Sequence, residues 1–207
     1  DEASGKESKR FIEDKNTKKI TIEEILNQDE NATDLDKKLL KALSPFLKGK
    51  SIYYQDGFKF NVGNEIVDDI GGYGATINDN GDILIFSNKN LNVDTILHEG
   101  LHALIFTKIN DTARNEKDQA LVDEIQRIFD IAKNSELGTR EEYAYAFNNL
   151  DEFVSEAFGN KNFRQELSYL EDTKGSKSNL FTSFLESLKK FLKSEYNFNM
   201  SNNVLES

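Results

Sequence analysis

The stretch Ile96-Leu97-His98-Glu99-Gly100-Leu101-His102-Ala103-Leu104 sets two histidines four residues apart, with a glutamate directly after the first. On a helix, residues four apart lie one above the other, so both imidazoles can reach one ion about 2 Å from each nitrogen. The chemistry this allows is metal-assisted hydrolysis. Zinc would be held with a coordination position left open, and Glu99 would sit beside it to take a proton from the attacking water. Leu97, Leu101 and Leu104 lie on the neighbouring face and would seat this helix in a core, which a pre-organised site requires.

These two histidines are the only ones in the chain. Two histidines scattered at random over 207 positions fall four apart about once in a hundred chains, and the added glutamate brings the coincidence to roughly one in a thousand. Their scarcity also constrains the rest of the site. With no third histidine and no cysteine, the remaining protein ligand must be an oxygen, which removes the HExxHxxGxxH class and points to a two-His, one-carboxylate set. The best downstream source is Asp151-Glu152-Phe153-Val154-Ser155-Glu156-Ala157-Phe158. Glu152 and Glu156 project from one helical face while Phe153, Val154, Ala157 and Phe158 pack. One glutamate can bind the metal while the other hydrogen-bonds a ligand imidazole. Spacing alone does not order them.

The elements that must position these groups follow from periodicity. Between Thr21 and Leu47 the residues Ile22, Ile25, Leu26, Leu35, Leu39, Leu40, Leu43 and Leu47 recur at helical spacing, which predicts two short helices parted near Asn31. Thr33 and Asp36 form a capping-box pattern for the second. Residues 52–54 and 58–62, separated by Gln55-Asp56-Gly57, predict a hairpin, and Ala75–Ile77 with Ile83–Phe86 predict another across Asn78-Asp79-Asn80-Gly81. Gly71, Gly72 and Gly74 lack phosphate-loop spacing and read as a backbone bend. Helices are then expected over about 93–109 (capped by Asn92 or Asp94), 115–134, 151–158 and 179–193. Small helices, a modest sheet and a helical C-terminal half make the fold class α+β.

Composition fits one soluble globular domain, read as residues 20–207, with 1–19 a flexible polar N-terminal arm. Fifteen phenylalanines predict an aromatic core. A formal charge of −11 repels phosphate backbones and anionic lipid, so neither nucleic acid nor membrane is expected as a partner. No apolar run approaches the roughly 20 residues that span a bilayer. Asp1 in place of Met, with no signal-peptide pattern after it, predicts a processed or excised form.

With these residues in view, the chain resembles a known family. HEGLH on a helix, a long helical insert, then Tyr145 seven residues ahead of Glu152 in an EFxxEAF segment is similar to the lethal-factor-like zinc peptidases, the group of the anthrax lethal factor catalytic domain and the clostridial Pro-Pro endopeptidases. With Asn160–Leu167 and the terminal amphipathic helix, it is also similar to peptidase-like domains within large phage or mobile-element proteins. The resemblance implies a zincin-like fold and one zinc per chain held by His98, His102 and Glu152. It implies Glu99 as general base and acid, Tyr145 as hydrogen-bond donor to the oxyanion with Tyr143 as a nearby competitor, and Glu156 behind a ligand. It further implies Ile83–Phe86 as an edge strand that pairs with extended substrate. The expected partner is a protein or peptide substrate, the expected state a monomer, and the expected setting secreted or virion-associated. The alternative is a non-catalytic zincin-like module serving as a scaffold or binding element in a larger phage or toxin protein. Gly100-Leu101 departs from relatives that often carry a larger residue followed by Gly.

Overall fold

The computed structural model describes residues 9–12, 15–55, 58–62, 65–69, 75–77, 82–85, 90–110, 113–174 and 178–196. It is α+β. The strands are β1 Lys9–Ile12, β2 Lys18–Ile20, β3 Ile52–Tyr54, β4 Phe58–Val62, β5 Glu65–Asp69, β6 Ala75–Ile77 and β7 Ile83–Ile85. The helices are α1 Ile22–Gln28, α2 Asp34–Leu43, α3 Val93–Asn110, α4 Glu116–Lys133, α5 Leu150–Gly159, α6 Lys161–Tyr169 and α7 Leu180–Tyr196, with 3₁₀ segments Glu136–Thr139 and Glu141–Phe147 between α4 and α5.

Among the described residues two sheets form, in the orders β1-β4-β5 and β2-β3-β7-β6. The predicted pairing of 75–77 with 83–85 is present, with Ala75 opposite Ile85 and Ile77 opposite Ile83. The predicted pairing of 52–54 with 58–62 is not. Strand β3 spends both its edges elsewhere, antiparallel to β2 and parallel to β7, whereas β4 lies between β1 and β5 in the other sheet. The Asp56-Gly57 turn, the Gly71/Gly72/Gly74 bend, the Asn78–Gly81 turn and Phe86 lie outside the described residues. Two strands fall within or at the end of the segment expected as an arm. Lys9–Ile12 and Lys18–Ile20 are strands held by backbone pairing to β4 and β3, which a polar segment can provide without an apolar side-chain pattern. Strand β7 is buried at all three residues, which explains its unbroken apolar run.

Helix α3 is apolar around most of its circumference because neighbours cover it on several sides: α2, α5, β6 and β7. Val93, Ile96, Leu97 and Leu101 are fully buried. Its start is fixed twice. The Thr95 N–H donates to Asn92 Oδ1 at 2.8 Å, and the Val93 N–H donates to Asp29 Oδ2 at 2.9 Å, so Asn92 rather than Asp94 is the side-chain cap. The Thr33–Asp36 capping box forms at the start of α2. Beneath α5, the rings of Phe129, Phe147, Phe153 and Phe163 pack with centroids 5.3–6.0 Å apart. This aromatic wedge, of the kind the phenylalanine count predicts, joins α4, α5, α6 and the 3₁₀ segment that carries Tyr145.

Candidate metal centre

Helices α3 and α5 supply the site between them. Asn149 caps α5 by accepting the Glu152 N–H at 2.9 Å, which puts Asp151 and Glu152 in the first turn, where the helix dipole favours carboxylates. Phe153, Val154, Ala157 and Phe158 are buried, so the opposite stripe of α5 turns its acids toward α3.

Three donor atoms converge there. His98 Nε2 and His102 Nε2 are 3.0 Å apart, and Glu152 Oε2 lies 3.2 Å from His102 Nε2 and 3.6 Å from His98 Nε2. The outer nitrogens face carboxylates. His102 Nδ1 is 2.9 Å from Asp151 Oδ2, and His98 Nδ1 is 3.4 Å from Glu156 Oε1. Glu156 is itself oriented, because Asn160 Nδ2, at the start of α6, donates to its Oε2 at 2.8 Å. In the tautomer that carries its proton on Nδ1, each ring would turn that N–H to its carboxylate and present an Nε2 lone pair to the other imidazole and to Glu152. Three electron-rich atoms cannot share that point without a positive charge.

The residues fit zinc. Two imidazole nitrogens and one carboxylate oxygen are its usual donors, and a tetrahedral ion with bonds of about 2.0–2.1 Å separates its ligands by about 3.4 Å. The observed separations of 3.0, 3.2 and 3.6 Å bracket that value. One oxygen of Asp151, Oδ1, is buried with no hydrogen-bond partner among the described residues, while the other, Oδ2, faces His102 Nδ1.

Electrostatics agree with this arrangement. Burial opposes charge on His102, yet hydrogen bonds to Asp151 and Glu152 outweigh it and push the imidazole up to about 10. Burial likewise works to raise Glu152, but hydrogen bonds from His102, His98 and Tyr145 hold it well below the usual carboxylate range. Glu99 is pushed up chiefly by burial, with His98 and His102 pulling down and Glu152 and Asp151 pushing up. The centre therefore demands a cation, and either a proton or a metal can meet the demand.

Of the residues singled out by sequence, His98, His102 and Glu152 meet at one point, Glu156 reaches His98 from behind, and Glu99 lies within electrostatic reach of all three. The Tyr145 ring lies 6.4 Å from that of His98 at 28°, and its side chain hydrogen-bonds Glu152. Tyr143 is not brought to the site: it packs against Phe163 at 5.2 Å. The edge-strand expectation for 83–86 is overturned as well. Strand β7 lies inside its sheet, between β3 and β6, because its parallel pairing with β3 occupies the side that would have been free, and β6 is the terminal strand. Sequence reading missed Asp151 and Asn160. Asp151 stands next to a candidate ligand but at no helical spacing from it, and Asn160 acts as the N-cap of a helix not separately foreseen.

No protein-family model, curated protein or solved structure matches the chain.

Proposed function

We propose that the protein is a zinc-dependent endopeptidase of zincin-like architecture, similar in its site to the lethal-factor-like peptidases. The observation that carries this reading is the inward convergence of His98 Nε2, His102 Nε2 and Glu152 Oε2, with both outer nitrogens turned to carboxylates. A mixed sheet flanking α3, with antiparallel β6 at its edge, is consistent with that architecture.

His98, His102 and Glu152 would hold the metal, Asp151 and Glu156 fixing the tautomer and tilt of the two rings. Zinc, when bound, supplies Lewis acidity to a scissile carbonyl and to water at the same point. Glu99 takes the proton as the water oxygen bonds to the carbonyl carbon, and hands it to the amide nitrogen as the C–N bond breaks. Its raised affinity for a proton suits both transfers. Tyr145, partly exposed beside His98, is placed to donate a hydrogen bond to the oxyanion. An extended substrate would pair with β6, the terminal strand, rather than with β7.

The intact Glu99 favours catalysis over the scaffold alternative, since a purely structural metal needs no base. Metal analysis of the purified protein is expected to find about one zinc per chain, in keeping with three protein ligands and one open position. Glu99→Ala should keep that zinc and lose peptide-library cleavage by about 10²–10⁴-fold. Wild-type protein without zinc, or cleavage persisting in Glu99→Ala, would overturn the proposal. Glu152→Gln should weaken zinc more than Glu156→Gln does.

A further inference from the structure

Gly159 closes α5 and is buried against α3. A Cβ at this position would stand 2.6 Å from His98 Cβ, 2.8 Å from the Asp94 carbonyl oxygen and 2.8 Å from the His98 backbone nitrogen. Two of those atoms are α3 backbone, so no side-chain rotation can make room. Gly100, on the same helix, differs: its added Cβ would meet Leu43 Cδ2 and Leu47 Cδ1, the far ends of flexible side chains.

The position of this close approach matters. Glu152, Glu156 and Gly159 fall at i, i+4 and i+7 on α5, a single stripe, and Asp94, His98 and His102 form the opposing stripe of α3. The stripes run antiparallel: Gly159 rests on Asp94 and His98, Glu156 on His98, and Glu152 on both histidines. Helices with ordinary side chains at their contact pack 8–10 Å apart. A bare backbone at 159 lets α5 approach α3 within one turn of the Glu156–His98 contact, which is 3.4 Å long.

We infer that Gly159 is a positioning residue for the metal centre. By carrying no side chain, it sets the α3–α5 spacing at which Glu156 meets His98 Nδ1 and Glu152 completes the triad. This rests on the zinc reading above. It adds a steric gauge outside both ligand motifs, acting through helix spacing and not by touching the metal.

The test is zinc affinity of the full chain, measured by competition with a chromogenic chelator. Gly159→Ala should bind zinc 10–100-fold more weakly, the range typical of losing an imidazole's hydrogen-bond partner. Leu167→Ala, a core truncation in α6, should lower the melting temperature and leave zinc affinity near wild type. In a Glu156→Gln background, adding Gly159→Ala should cost clearly less than it does alone, because one of the two contacts it sets is already lost. A folded Gly159→Ala protein with wild-type affinity overturns the inference, as does full additivity with Glu156→Gln. If Gly159→Ala does not fold without metal, both destabilised variants are refolded with zinc. Recovery with wild-type affinity then overturns the inference, whereas weakened affinity, or failure where Leu167→Ala recovers, supports it. A wild-type chain that binds no zinc overturns the zinc reading itself.

Discussion

Two ionisable clusters among the described residues lie along α3, and their charges are answered in different ways. Beside its first turn, Arg164 of α6 pairs with Asp36 of α2 and donates to the Phe158 carbonyl, with Asp94 within electrostatic reach. One to two turns further along, Asp151, Glu152 and Glu156 face His98 and His102. A guanidinium is a permanent cation, so the Arg164–Asp36 pair is complete as folded. An imidazole is a conditional one, and two Nε2 atoms 3.0 Å apart leave no room for a proton on each. The first arrangement fixes three helices. The second holds a position that an exchangeable cation can fill.

The sharpest way to break this comparison is to remove one member from each cluster. His98→Ala should abolish zinc binding outright, yet lower the metal-free protein's stability by only about 1–2 kcal/mol, since the side chain borders solvent. Arg164→Met should leave Asp36, 1% exposed, as an unanswered buried charge, at a loss of about 3–5 kcal/mol. For a chain of this size that is roughly a 10 °C fall in melting temperature. Thermal unfolding of chelator-treated protein checks both. Equal losses would mean that the histidine cluster is as structural as the arginine one.

Within the candidate metal centre, the two carboxylates behind the histidines should not be equal. Asp151 is buried and sits 2.9 Å from His102 Nδ1, whereas Glu156 is 3.4 Å from His98 Nδ1 and shares its other oxygen with Asn160. Asp151→Ala is expected to weaken zinc binding toward the upper end of 10–100-fold, and Glu156→Ala toward the lower end. Chelator competition ranks them, and the reverse order would show that hydrogen-bond length and burial do not govern ring orientation here.

What the sequence disclosed and what it hid follow from the range of the interactions. The paired α3 histidines, the caps at Thr33 and Asn92 and the extents of α4 and α7 are local patterns, legible because helix periodicity and capping act within four residues. Strand partners are not local. β3 and β4 look like a hairpin over eleven residues, but β3 gains more by joining β2 and the fully buried β7, and no short window contains that competition. The same limit misassigned the edge strand. Asp151 was hidden for a related reason. Its role depends on how α5 is rotated against α3, and that rotation is set by the buried phenylalanines and by Gly159.

The smallest expected effect probes the boundary between the clusters. Asp94 is pushed up to about 6, first by burial and then by the charge of Asp36, with Arg164 and Lys161 pulling the other way. A carboxyl whose folded value lies above its unfolded value of 3.8 favours the native state fully below 3.8, and that contribution is lost as pH rises through 6. At pH 7 the ionised Asp94 is therefore a net burden on the fold. Asp94→Asn should stabilise metal-free protein there by on the order of 1 kcal/mol, the full linkage value being discounted for the part of the side chain that solvent screens. The advantage should shrink between pH 6 and pH 4 as the wild-type carboxyl takes up its proton. Comparing the two proteins by denaturant unfolding at pH 7, 6, 5 and 4 cancels the titration of every other group. A difference that is flat with pH would place Asp94 inside the Arg164 cluster as a third, fully answered charge. A difference that narrows with acid would leave Arg164 committed to Asp36 alone.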